Sequence, residues 1–274
     1  MRYLPLLLLL APSAFARPFD SGFSLRLGGF WADVDSSFGA RTVNGNSPIR
    51  VDFESDLALD ESKFSPFVEL TYRFDEKNVL ALNYLTLHRT AQSRSLQKSF
   101  EFEWEGNRYQ VETGANLRSE LDVDIYQLVY GRTLIQGDNY ALLSTLGVHI
   151  MDVHAVLDGD IILVGEGGNE MEVADRALGE ITAPLPDIGL ILGWQPAKNW
   201  LLSFHTQYLK VSIDDVDGRL LDWRLQASWY LTPNLALGLA WQNYELSVEE
   251  KRRFSDVDIQ FDYEGPSLML NYEF

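Results

Sequence analysis

Leu268-Met269-Leu270-Asn271-Tyr272-Glu273-Phe274 closes the chain. Leu268, Leu270, Tyr272 and Phe274 alternate with Met269, Asn271 and Glu273. A period of two places one set on each face of a β-strand, so this strand has an apolar face and a mixed face. The same period recurs upstream. Phe23, Leu25 and Leu27 alternate with Ser24, Arg26 and Gly28. Phe64, Pro66, Val68, Leu70, Tyr72 and Phe74 stand opposite Glu69, Thr71 and Arg73. Leu80, Leu82 and Tyr84 return after the polar turn Asp75-Glu76-Lys77-Asn78.

Further strands follow in pairs. Leu121, Val123, Ile125 and Val129 begin one, whose facing blurs at Tyr126, Leu128 and Tyr130. After Gln136-Gly137-Asp138-Asn139, the residues Tyr140, Leu142, Leu146, Val148 and Ile150 face away from Thr145, Gly147 and His149. Ile188 to Trp194 and Trp200 to Tyr208 flank the turn Gln195 to Asn199. Leu221 to Leu231 and Leu235 to Trp241 flank Thr232-Pro233-Asn234. The longer connections are polar: Ser36 to Pro48, Thr90 to Asn116, Leu157 to Glu180 with a short helix expected over Asn169 to Leu178, and a charged loop at Glu249 to Arg253. The tally is about ten strands, with eight or twelve as alternatives, joined alternately by tight turns and longer loops.

The terminal strand with its final aromatic resembles the closing strand of Gram-negative outer-membrane β-barrel proteins. There Leu268, Leu270, Tyr272 and Phe274 would serve as the assembly signal. The resemblance implies a closed antiparallel up-and-down transmembrane β-barrel in the outer membrane. Its partners would be outer-membrane lipid and lipopolysaccharide, with the barrel-assembly machinery during biogenesis. Closure suits lipid, which offers no water to satisfy an open sheet edge. Tyr72, Phe74, Tyr140, Trp194, Trp200, Trp229 and Tyr272 lie beside the tight turns, as an interfacial aromatic girdle requires. Trp31, Tyr208, Trp223 and Trp241 fall toward the other interface. An acidic secreted β-sandwich would also alternate, but with shorter strands and no need for aromatics at strand ends.

Residues 1–16 read as a secretory leader: Arg2, the apolar run Leu4 to Ala11, and the small-x-small site Ala14-Phe15-Ala16. The barrel domain is then 17–274, exported with the leader cleaved. The chain has no cysteine, so disulfides do not staple the fold. A formal charge of −18 argues against nucleic-acid binding, which needs clusters of Lys and Arg.

If the apolar faces meet lipid, the opposite faces line the lumen: Arg26, Glu69, Arg73, Asp187, His205, Asp222, Arg224 and Glu273, among small residues such as Gly147, Gly189, Gly193 and Gly238. Both signs are interleaved. Eight strands are about filled by their own side chains, whereas porins of sixteen to eighteen strands leave a channel. The expectation is a largely filled polar lumen with a structural or surface-binding role, against the alternative of a narrow channel for small solutes.

Enzymes exist on barrels of this size. Omptin-like proteases use acidic pairs with a His near the outer rim, and lipid A deacylases use a His/Ser/Glu set. Neither motif can be carried over residue by residue, although Asp214, Asp215 and Asp217 follow His205 closely. No catalytic residue, cofactor or metal is assigned. Asp214-Asp215-Val216-Asp217-Gly218 and Asp158-Gly159-Asp160 hold enough oxygens for Ca²⁺, but the EF-hand pattern is not met and a solvated turn explains both. Phe100, Phe102 and Trp104, in a hairpin expected above the membrane, are candidates for surface contact.

Overall fold

The computed structural model describes residues 22–42, 47–104, 107–164, 171–173, 176–213, 216–250 and 257–274. The expected leader lies outside them. Fifteen strands form one antiparallel sheet: β1 (Gly22–Arg41), β2 (Pro48–Asp52), β3 (Ser62–Arg73), β4 (Asn78–Arg94), β5 (Phe100–Trp104), β6 (Asn107–Val111), β7 (Asn116–Gln136), β8 (Tyr140–Gly159), β9 (Ile161–Val164), β10 (Met171–Val173), β11 (Arg176–Ala197), β12 (Trp200–Ile213), β13 (Val216–Tyr230), β14 (Leu235–Glu250) and β15 (Val257–Glu273). The ten long strands close a ring, because β1 pairs with β15 on one side and with β3 on the other. The five short strands extend from the upper end of β1 as a second layer over the mouth.

The closing strand behaves as its alternation requires. Leu268, Leu270, Tyr272 and Phe274 are exposed on the outer wall, while Met269 is buried inside. The Phe274 amide donates to the Phe23 carbonyl at 2.8 Å, and the two rings lie 5.4 Å apart. The last residue therefore fastens the seam between the first and last strands. The four short connections at this end are the tight turns of the sequence. In the first, the Asn78 side chain donates to the Asp75 carboxylate at 2.9 Å, and the amides of Lys77 and Asn78 donate to it at 2.7 and 2.8 Å. These bonds, the Asn78 side chain first, hold the Asp75 carboxyl below the ordinary range.

An exposed apolar band girds the lower half, bounded by aromatics at both edges. Trp194, Trp200, Trp229 and Tyr272 mark the turn end. Trp31, Phe64, Tyr126, Tyr208 and Trp241 mark the upper edge. Strands β7, β8 and β11 run to 21, 20 and 22 residues, about twice the 9–11 needed to cross a bilayer. Their upper halves therefore form a cup standing above the band.

The cup inverts the polarity of the wall. In β7, odd-numbered residues from Leu117 to Thr133 face inward. Leu117, Leu121, Val123 and Ile125 are buried in the cup, whereas Tyr126, Leu128 and Tyr130 are exposed on the band. Where water lies outside, apolar side chains gain by turning in; where lipid lies outside, they gain by turning out. This corrects the sequence reading of Leu121 to Ile125 as part of the membrane crossing, and it explains the blurred pattern at Tyr126. The expected helix over Asn169 to Leu178 is also corrected. Residues 171–173 and 176–178 are strand, paired with β9 and β8; the rest of that span lies outside the described residues.

One seam is incomplete. The ladder between β11 and β12 stops at Ile188 opposite Tyr208, although β11 continues up to Arg176 and β12 to Ile213. Pro184 and Pro186 lie on this stretch of β11. The ladder with β8 runs past both without a shift, so the missing proline donors fall on the β12 side.

Candidate functional site

From the turn end upward, the interior is a polar cavity, a hydrogen-bonded layer, an aromatic floor and an apolar chamber. The polar cavity is about 700 Å³ and reaches the turns at Pro233 and Asn234. Arg73 and Glu273 line its mouth, and Arg26, Glu69, His205 and Arg224 line its upper end. Tyr230 donates to Glu273 at 2.6 Å.

At the top of this cavity Glu69 stands between two guanidiniums. Arg26 donates to one oxygen, and Arg224 to the other at 3.2 Å. Arg26 and Glu69 are cross-strand partners of β1 and β3, while Arg224 reaches over from the opposite wall. A carboxylate that accepts from both sides ties the two walls together.

The next layer is centred on His149, fully buried. Its Nδ1 lies 2.9 Å from Asp187 Oδ2, and its Nε2 lies 3.7 Å from Asp222 Oδ2. Gln207 donates to Asp187 at 2.6 Å, Gln127 to Asp222 at 3.0 Å, and Asn83 to Gln127 at 2.8 Å. Six strands, β4, β7, β8, β11, β12 and β13, thus contribute to one network. Gly147 makes room for it: a Cβ there would meet the Asp187 carboxylate at 2.7 Å and Gln207 at 2.8 Å. His205 lies between the two clusters with Nε2 unpartnered.

Tyr244 and Tyr263 stack above, with centroids 4.9 Å apart and planes within 3°. The Tyr244 ring lies 5.9 Å from His149, and its hydroxyl has no hydrogen-bond partner. Beyond this floor the core is apolar. Its roof is the second layer of strands together with residues 53–61. Arg89, 2 % exposed, holds that roof: it pairs with Glu54 and donates to Ser36 Oγ at 2.8 Å.

Of the residues expected in the lumen, Arg26, Glu69, Arg224, Asp187 and Asp222 lie in the two clusters, His205 lies between them, and Arg73 and Glu273 line the lower cavity. His149, Gln127 and Gln207 complete the network and were not singled out as site residues. The alternation that put His149 on the inner face of β8 was their only signal. The surface-contact expectation for Phe100 and Phe102 is corrected. Both are buried, because the β5–β6 hairpin folds over the mouth and packs its rings inward. Phe38 lies 6.0 and 5.7 Å from them, and Tyr109 stacks on Phe102 at 5.2 Å. The side chain of Trp104 lies outside the described residues.

The cup carries further titratable groups. His88 lies 3.3 Å from Asp124. Glu120, Asp122 and His154 each bring a ligand atom within 4.8 Å of the others, as do Asp35, Asp52 and Glu54. Glu54 is already engaged by Arg89 and Ser36. In the acidic stretches weighed for Ca²⁺, the described carboxylates are engaged elsewhere: Asp160 accepts from the Asn116 amide at 2.9 Å, and Asp158 pairs with Arg176 at 3.3 Å. Asp214 and Asp215 lie outside the described residues.

No family model matches the chain, and no curated protein does. Solved structures do. The outer membrane protease OmpT of Escherichia coli aligns over 92 % of this chain and 97 % of its own, at 11 % identity and a TM-score of 0.56. The toluene transporter TodX of P. putida aligns over 92 % and 89 % at 8 % identity, with a TM-score of 0.39. The outer membrane protein OprG of Pseudomonas aeruginosa aligns over 96 % and 98 % at 12 %, with a TM-score of 0.33. The last two scores carry no argument, and the first speaks for fold alone. The closed ring of ten long strands, its girdled apolar band and this likeness establish the fold as that of the Gram-negative outer-membrane β-barrel proteins.

Proposed function

We propose that this chain is a non-enzymatic barrel of the outer membrane whose lumen is closed at membrane level and whose cup serves surface binding. One observation carries the reading: the paired clusters around Glu69 and His149 join opposite walls through buried side-chain hydrogen bonds. Such a layer leaves few polar groups free to solvate a passing ion, and breaking it exposes buried charge. Inside, His149, Asp187, Asp222, Gln127 and Gln207 are engaged with one another. The test is conductance of the refolded protein in a planar bilayer, after heat-modifiable gel migration has verified folding. The expected result is silence; reproducible unitary steps would overturn the closed-lumen reading.

A narrow path for small solutes is the second reading. The lower cavity and a 50 Å³ pocket above it share Glu69, Asn83, His205 and Arg224. Arg224 lines both and reaches across from the opposite wall. Unitary steps abolished by cross-linking position 224 to the facing wall would favour this reading.

A further inference from the structure

The apolar core of the cup contains a cavity of about 190 Å³. Native interiors rarely keep voids larger than a water molecule, because side chains repack to close them. Here the surrounding wall is a run of long paired strands, interrupted at the β11–β12 seam, and the roof is cross-braced by Arg89, so the space persists. Its lining includes Phe38, Phe53, Phe102, Val123, Met151 and Phe261. Of the polar side chains at its edge, Asp258 and Gln260 accept hydrogen bonds from Arg50, and Ser36 is held by Arg89 and Glu54; Ser37 and Glu103 are the others. The cavity therefore offers dispersion contacts, aromatic faces and one adaptable thioether, with little to satisfy a charge or to hold water.

Volume sets the scale of an occupant. An apolar cavity of about 150 Å³ stays dry and takes benzene, so this one fits a single substituted ring, two fused rings or a short hydrocarbon chain. Ala177, Gly179 and Leu185 of β11 form one side. That strand is the one whose upper half has no ladder partner toward β12, so the chamber borders the break in the wall. We propose that this cavity is a binding site for one small, uncharged, apolar molecule. The proposal deepens the surface-binding reading above, and rests on it, by naming the class of ligand.

The probe is naphthalene, titrated by fluorescence against the full chain in lipid nanodiscs, with empty nanodiscs as the reference for partition into lipid. The wild-type protein is expected to add a saturable component of one site per chain. Ala177→Phe, which fills the cavity from β11, is expected to abolish that component. Val153→Thr, which keeps the volume and places a hydroxyl against the ligand, is expected to weaken it roughly tenfold. Folding of each variant is read by heat-modifiable migration. Uptake by the wild type no greater than by empty discs would overturn the proposal, as would wild-type binding by a folded Ala177→Phe. If that variant does not fold, undiminished binding by Val153→Thr overturns it instead. Conductance is scored separately: a conducting wild type that still binds naphthalene saturably overturns the closed lumen and supports this site.

Discussion

Replacing Glu69 by alanine removes the one carboxylate that Arg26 and Arg224 share. Breaking a buried ion pair by deleting one partner costs about 3–5 kcal/mol, because the other charge is left uncompensated. Two guanidiniums are stranded here, and they then repel across the lumen. The lower cavity tempers the loss: the Arg26 and Arg224 side chains keep 17 % and 19 % of their surface exposed, so water relieves part of the charge. The low end of the range, about 3 kcal/mol, is the appropriate figure. Followed by tryptophan fluorescence in lipid vesicles, the urea midpoint should fall by roughly 1–3 M for a slope of about 1–3 kcal/mol/M. The combined variant Arg26→Met, Glu69→Leu, Arg224→Met removes all three charges at similar volume. It should be near neutral, since apolar replacement of a whole buried cluster often is. A Glu69→Ala protein as stable as wild type, or a triple variant as damaged as the single one, would refute the assignment of the cluster as a charge-compensated tie between walls.

Arg89→Ala should destabilise the cup by about 3–5 kcal/mol by stranding buried Glu54, with faster hydrogen exchange over residues 53–61 and little change at the turn end. Tyr244→Phe should leave stability unchanged or raise it by roughly 1 kcal/mol, since it removes a buried hydroxyl without a partner; a clear loss in thermal unfolding would show that the hydroxyl is satisfied. The carboxyls of Asp35, Asp122 and Asp262 on the cup are each raised above the ordinary 3.8, first by burial and then by acidic neighbours. A raised folded value favours the folded state below 3.8 and loses that contribution as pH climbs through the raised values. The variant Asp35→Asn, Asp122→Asn, Asp262→Asn should therefore be more stable than wild type at neutral pH, with the difference closing on acidification. A difference independent of pH would contradict that origin.

Where lipid and lumen sit on opposite faces, the sequence was readable at single-residue resolution. Trp194, Trp229, Leu239 and Leu268 face out and Glu69, Asp187 and His205 face in because only one arrangement keeps charge off the hydrocarbon. Above the band the same period of two survives, but its chemical meaning reverses. Leu121 and Tyr126 are both apolar and sit on opposite faces, so hydropathy alone gave no consistent side. The candidate site was legible one strand at a time. That His149 meets Asp187 and Asp222 depends on which strands face each other across the ring, and no local pattern carries that information. The hairpin aromatics failed for a related reason: Phe100 and Phe102 look like exposed rings until the mouth they cover is known.

The stop in the β11–β12 ladder also bears on how the molecule avoids its own kind. A row of free amides and carbonyls above a membrane is a template for a strand from another chain, and crowded outer surfaces supply many such strands. Pro184 and Pro186 blank two neighbouring donor positions on that row, so an incoming strand would find an acceptor but no donor at either one. Small molecules need no ladder and are not turned away. The two prolines thus weaken backbone pairing at the break and leave contact by shape and apolar surface unhindered.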